Sequence, residues 1–76
     1  MDNTTKEELS KILETAIKQL RQAVKNIDKA EEIAFRSHKD KMSDGLEKDS
    51  LEVCKVSDSL HILNCMVKYR LDDNND

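Results

Sequence analysis

The chain has 76 residues, with 13 Lys and Arg against 16 Asp and Glu for a formal net charge of −3. That length holds one domain at most, whose core is marginal unless a disulfide, a metal or a partner chain adds to it. The charge balance leaves no basic footprint for nucleic acid, no apolar run reaches the ~18 residues of a membrane span, and one Phe, one Tyr and no Trp leave aliphatic side chains to build the core.

The N-terminal stretch MDNTTKEEL lacks the basic start and apolar centre of a secretory signal, which predicts a cytoplasmic protein. Pro is absent and Gly occurs once, so little in the chain interrupts a helix. Thr4 with Glu7, or Thr5 with Glu8, fits a capping box, and acids in the first turn suit the helix dipole. The first helix is therefore expected over residues 5–37. Along it Leu9, Leu13, Ala16, Leu20, Ala23, Ile27, Ala30 and Ala34 follow at alternating steps of four and three, a heptad seam. Ile12, Ile17, Val24 and Ile33 flank that seam and widen it.

Residues 39–45, KDKMSDG, are the one place where a turn is chemically favoured. Gly45 tolerates positive φ, and Ser43 or Asp44 suits the cap of a following helix. A second helix is expected over residues 46–71, with its heptad at Leu46, Val53, Val56, Leu60, Leu63 and Val67. Asp49 interrupts that heptad early. The acids of LDDNND oppose the dipole of a helix C-terminus, so residues 72–76 are expected to form a disordered tail. The fold class is all-α, an antiparallel two-helix hairpin of coiled-coil type. Its helices should run to about 50 and 38 Å at ~1.5 Å per residue.

Two helices bury one stripe each. Leu9, Leu13, Ala16, Leu20, Ala23, Ile27, Ala30 and Val53 are assigned to the seam inside the hairpin. Val56, Leu60, Ile62, Leu63, Met66, Val67, Tyr69 and Leu71 then exceed what one partner helix can cover. Full burial of an aliphatic side chain is worth roughly 1.5–3 kcal/mol, so leaving such a cluster in water forfeits several kcal/mol. Exposed patches of this kind commonly mark a partner site. The hairpin is expected to be completed by a partner chain or by dimerisation.

No catalytic constellation emerges. Cys54, Asp58, His61 and Cys65 share one helical stripe, but four ligands strung along ~16 Å of a straight helix cannot converge on one tetrahedral ion. The same separation is too long for a disulfide between the two cysteines. Cys65 with His61 lacks the water-excluded pocket and oxyanion hole that a nucleophile needs, and no Gly-rich phosphate loop is present. No enzyme activity, metal or cofactor is expected. Lys11, Lys18 and Lys25 recur every seven residues with Arg21 and Lys29 beside them, but Glu14 and Asp28 interleave and no aromatic is there to stack on a base. A solvated face of helix-spaced ion pairs accounts for them better than RNA binding does.

AIKQLRQAVKNID in the first helix and ILNCMVKYRL in the second resemble the small helical-hairpin co-chaperones of type III secretion needle subunits. The likeness spans residues 16–70 or so. It rests on a Gln-Leu-Arg start to an amphipathic run and on an aliphatic cluster followed by aromatic and basic residues. The segment joining the two stretches is several residues longer here, and Cys54 and Cys65 have no counterpart in that pattern. The resemblance implies a bacterial cytoplasmic protein that pairs with a larger helical-repeat chaperone and keeps a needle subunit soluble before export. The alternative expectation is a homodimeric, Rop-like four-helix bundle that binds RNA or a regulatory protein.

Overall fold

The computed structural model describes residues 2–69, which form two helices, α1 over Asn3–Arg36 and α2 over Asp40–Tyr69. They lie side by side in one antiparallel hairpin of 53 × 18 × 12 Å. The all-α hairpin expected from the heptads is the fold observed. The expected end of the second helix at Leu71 and the expected tail at residues 72–76 lie outside the described residues.

The start of α1 differs from the capping-box expectation. Asp2 is the N-cap, with extended backbone, and its carboxylate accepts a 2.7 Å hydrogen bond from the Thr5 amide. That bond satisfies one of the orphan N–H groups of the first turn. It also holds the Asp2 carboxyl below its ordinary pKa. Because Asp2 already supplies the capping oxygen, Thr4 and Thr5 sit inside the helix, which begins two residues earlier than expected.

The turn also lies elsewhere. His38, not Gly45, carries the positive backbone angle, φ 59°. The Lys39 amide bonds back to the Ala34 carbonyl at 2.9 Å and the His38 amide to that of Phe35 at 3.1 Å, the two reversed bonds of a Schellman cap. Histidine is among the non-glycine residues that most often tolerate this conformation. The cap reverses the chain within residues 37–39, so the expected turn over 39–45 is helical from Asp40 onward. Gly45 lies within α2 at negative φ.

The hairpin interior is narrower and more polar than the apolar stripes suggest. In a heptad frame with position a at Ser10, Ile17, Val24 and Glu31, α1 meets the matching a positions of α2, which are Ser43, Ser50, Ser57 and Asn64. All four of these α2 residues are buried. Among the described apolar residues, only Ile17 and Ala34, each 5% exposed, are equally enclosed. Three hydroxyls bridge the seam. Ser10 donates to Asn64 Oδ1 at 2.8 Å, Ser43 to Glu31 Oε1 at 2.9 Å, and Ser50 to Asp28 Oδ1 at 2.7 Å. The hydroxyl of Ser57 is buried with no hydrogen-bond partner.

These pairs correct the expected seam. Leu13, Leu20 and Ile27 remain beside it at position d, half-buried, with Leu46, Val53, Leu60 and Val67 as their counterparts on α2. Leu9, Ala16, Ala23 and Ala30 fall at position g, one residue off the contact line. The first three are half-buried and Ala30 is exposed. Val56 and Leu63, expected in the second heptad, also fall at g and are exposed. The shift has a physical reason. Small serines let the backbones approach, and Ser10, Ser43 and Ser50 gain an acceptor, whereas the same hydroxyls on the outer side would meet only water.

Candidate interaction surface

The heptad frame divides the hairpin into two unlike sides. On one side lie the e positions. Arg21, Val24 and Lys25 of α1 line a shallow groove there with Cys54, Ser57 and Asp58 of α2. Near the open end of the hairpin Lys68 Nζ approaches Glu14 Oε1 at 2.7 Å, with both side chains nearly half exposed. The pair holds the Glu14 carboxyl below its ordinary pKa and raises that of Lys68, in both cases chiefly through the hydrogen bond between them. This side is the more charged of the two, although Phe35 at e and Leu51 at b are exposed on it.

The opposite side carries the d, g and c positions. From Leu9 to Ala34 no residue of α1 at these positions is charged: the c position reads Ile12, Gln19, Asn26 and Ile33. Across the seam, α2 contributes Met42, Val56 and Leu63 at g, with the charged Asp49 also at g and Glu52 at c. Leu20 and Ile27 of α1 share an open groove with Val53 and Val56 of α2, and Asp49 and Glu52 stand at its rim. Ile12, Ile33, Met42, Val56 and Leu63 are all large and all exposed, Ile12 at 67%. Depletion of charge around a run of aliphatic groups is the composition of an interface centre rather than of free surface.

The structure sorts the expected partner residues into two sets. Val56 and Leu63 belong to the charge-poor face, with half-buried Leu60 and Val67 at its inner edge and half-buried Met66 at its outer edge. Ile62 and Tyr69 are exposed on the back of α2, at position f, and do not join the others. Leu71 lies outside the described residues. The sequence reading assigned the uncharged stripe of α1 to the hairpin interior and so missed its part in this face. The signal was available: Ile12 and Ile33 flank that stripe at the same spacing as Gln19 and Asn26.

The remaining constellations stay apart. Cys54 and Cys65 are free thiols, and Cys65 Sγ lies 3.8 Å from His61 Nε2 on the surface of α2. Among the described residues no group of three or more His, Cys, Asp or Glu is placed to hold a metal ion. No described helix is long and apolar enough to cross a membrane. Arg21 and Lys25 face the charged side, where Asp58 and Asp28 interleave with them. No protein-family model matches the chain, and no curated protein or solved structure matches it significantly.

Proposed function

We propose that the protein is a non-enzymatic interaction module, an adaptor of the co-chaperone kind whose charge-poor face seats the helices of another protein. The observation that carries this reading is the asymmetry between the two sides. The most enclosed positions of α2 are serines and Asn64, and Val56, Leu63, Ile12 and Ile33 lie in water together on one face, whereas Phe35 and Leu51 are exposed singly on the other. Its grooves are open and shallow, which suits side chains of a partner helix and not a small substrate.

The resemblance to the helical-hairpin co-chaperones of type III secretion supports a specific form of the proposal. The partner is then a helical-repeat chaperone, and the pair holds a needle subunit unpolymerised. Reconstitution tests it. The chain is mixed with the helical-repeat chaperone and needle-type subunit of its own host and resolved by size exclusion. A co-eluting complex is expected with the natural chain and none with Leu63→Asp, which sets a charge within the face. Equal co-elution of both chains would refute this surface, and no complex with either would refute the adaptor.

A further inference from the structure

We infer that the charge-poor face is self-complementary and that, in the absence of another protein, a second copy of the chain covers it to form a four-helix bundle. This goes beyond the adaptor reading and does not rest on it. The first argument is size. The hairpin presents a face 53 Å long and 18 Å wide, on the order of 900 Å² in projection. A stable interface of standard size needs roughly 800 Å² from each partner.

The second argument is fit. A two-fold axis parallel to the helices lays α1 of one copy on α2 of the other, antiparallel, and leaves heights along the axis unchanged. The cross-seam contacts run from Ser10–Asn64 and Glu31–Ser43 on one side to Glu14–Lys68 on the other. They bracket a register in which Asp28 stands level with Ser50, and residues level inside a hairpin are level across the interface as well. In that register the g positions oppose small to large: Ala16 meets Leu63 and Ala23 meets Val56. Asp49, the only charged residue at a described g position of α2, falls against Ala30, whose small side chain leaves it open to water.

Three of the four c positions of α1 match in kind, while Ile33 falls against Gly45, which has no side chain to cover it. Ile12 meets Met66, apolar against apolar. Gln19 meets Ser59 and Asn26 meets Glu52, polar against polar. Each match occurs twice in the dimer, because a two-fold interface pairs every residue with its complement in both directions. The other face-to-face arrangement, α1 on α1 and α2 on α2, sets alanine against alanine and Val56 and Leu63 against each other. That leaves a void on one side and crowding on the other. The d residues, half-buried in one hairpin apart from the buried Ala34, become the centre of the bundle.

Sedimentation of the full chain alone tests the inference, with a dimer of twice the 8.8 kDa chain mass expected at micromolar concentration. A monomer at about 100 μM, a Kd weaker than any dedicated dimer needs, would overturn it. Ala23→Glu buries a charge twice and should weaken the dimer by about 100-fold or more; no change would also overturn it. Orientation is read by cross-linking in a chain with Cys54→Ser and Cys65→Ser. Gln19→Cys combined with Ser59→Cys should oxidise to a covalent dimer, since these positions lie on opposite edges of one hairpin. Gln19→Cys cross-linking by itself would show the α1-on-α1 arrangement and refute the one drawn. A dimer that takes up neither chaperone nor needle subunit leaves this inference standing and ends the adaptor reading, while a monomer that takes them up does the reverse.

Discussion

Two serines seven residues apart on the same buried stripe should respond in opposite directions to the same substitution. Ser57 is buried with an unpartnered hydroxyl, whereas Ser50 donates at 2.7 Å to the Asp28 carboxylate. A buried polar group without a partner costs roughly 1–3 kcal/mol. Alanine is also the better helix former by roughly 0.5 kcal/mol. Ser57→Ala should thus stabilise the hairpin by about 1–2 kcal/mol. Ser50→Ala gains the same propensity but loses a hydrogen bond to a charged acceptor, worth roughly 1.5–3 kcal/mol. Asp28 is exposed and recovers water, so the net loss falls near the low end, about 1 kcal/mol. Thermal melts followed by circular dichroism at one fixed protein concentration read both. Each kcal/mol moves the midpoint by about 4–8 °C in a chain of this size. Destabilisation by Ser57→Ala, or an unchanged midpoint for Ser50→Ala, would refute the pairing of the polar seam.

Other substitutions report on single features. Gly45 lies in α2 at negative φ, and a Cβ built there meets nothing within 4 Å, so Gly45→Ala should add about 0.5–1 kcal/mol in a urea titration. The Glu14–Lys68 pair sets a pH window. The lowered Glu14 pKa gives stability that is complete above its ordinary value of 4.5 and lost as pH falls through the folded value. The raised Lys68 pKa gives stability complete below 10.5 and lost as pH rises through its folded value. The stability difference between the natural chain and Lys68→Gln should therefore be flat between those limits, shrink in acid, and shrink with added salt because the pair is half exposed.

Much of this fold was legible because a period of seven, sustained without Pro, admits little besides paired helices. The turn was misplaced because Ser43, Asp44 and Gly45 are strong turn residues taken locally. Their helix is held from outside instead, by the Ser43 hydroxyl on Glu31 and by the cap at His38. The seam was displaced by one position for a related reason. Hydrophobic periodicity finds the greasiest stripe of each helix, and here that stripe straddles d and g. The contact line runs through a and d, where the partners of Ser10, Ser43 and Ser50 lie 54, 12 and 22 residues away along the chain. Ser43, Ser50, Ser57 and Asn64 recur every seven residues, and a polar heptad is as periodic as an apolar one. Its meaning emerges only when Ser43 and Ser50 are given their acceptors, and Asn64 its donor, across the hairpin.

That displacement separates two jobs that one stripe usually does together. The paired polar groups at a, Ser10, Ser43, Ser50 and Asn64, fix which helix lies beside which and in what register, because each loses its partner when the helices slide. They add little net stability, since hydrogen bonds to protein replace hydrogen bonds to water. The exposed apolar groups at g and c, such as Ile12, Ile33, Val56 and Leu63, by contrast gain mainly when a second layer arrives. Half-buried d residues such as Leu20, Val53 and Leu60 stand between the two and gain from both, on the order of 1 kcal/mol each when the remaining half of the side chain is covered. Changes at Ser50 or Asn64 should then shift the melting midpoint equally at every protein concentration. Changes at Val56, Leu63 or Ala23 should act mainly through its concentration dependence, because mass action couples folding to assembly. A melting midpoint that is independent of concentration in the natural chain, and shifts alike for both groups, would show that the a and g positions share one role after all.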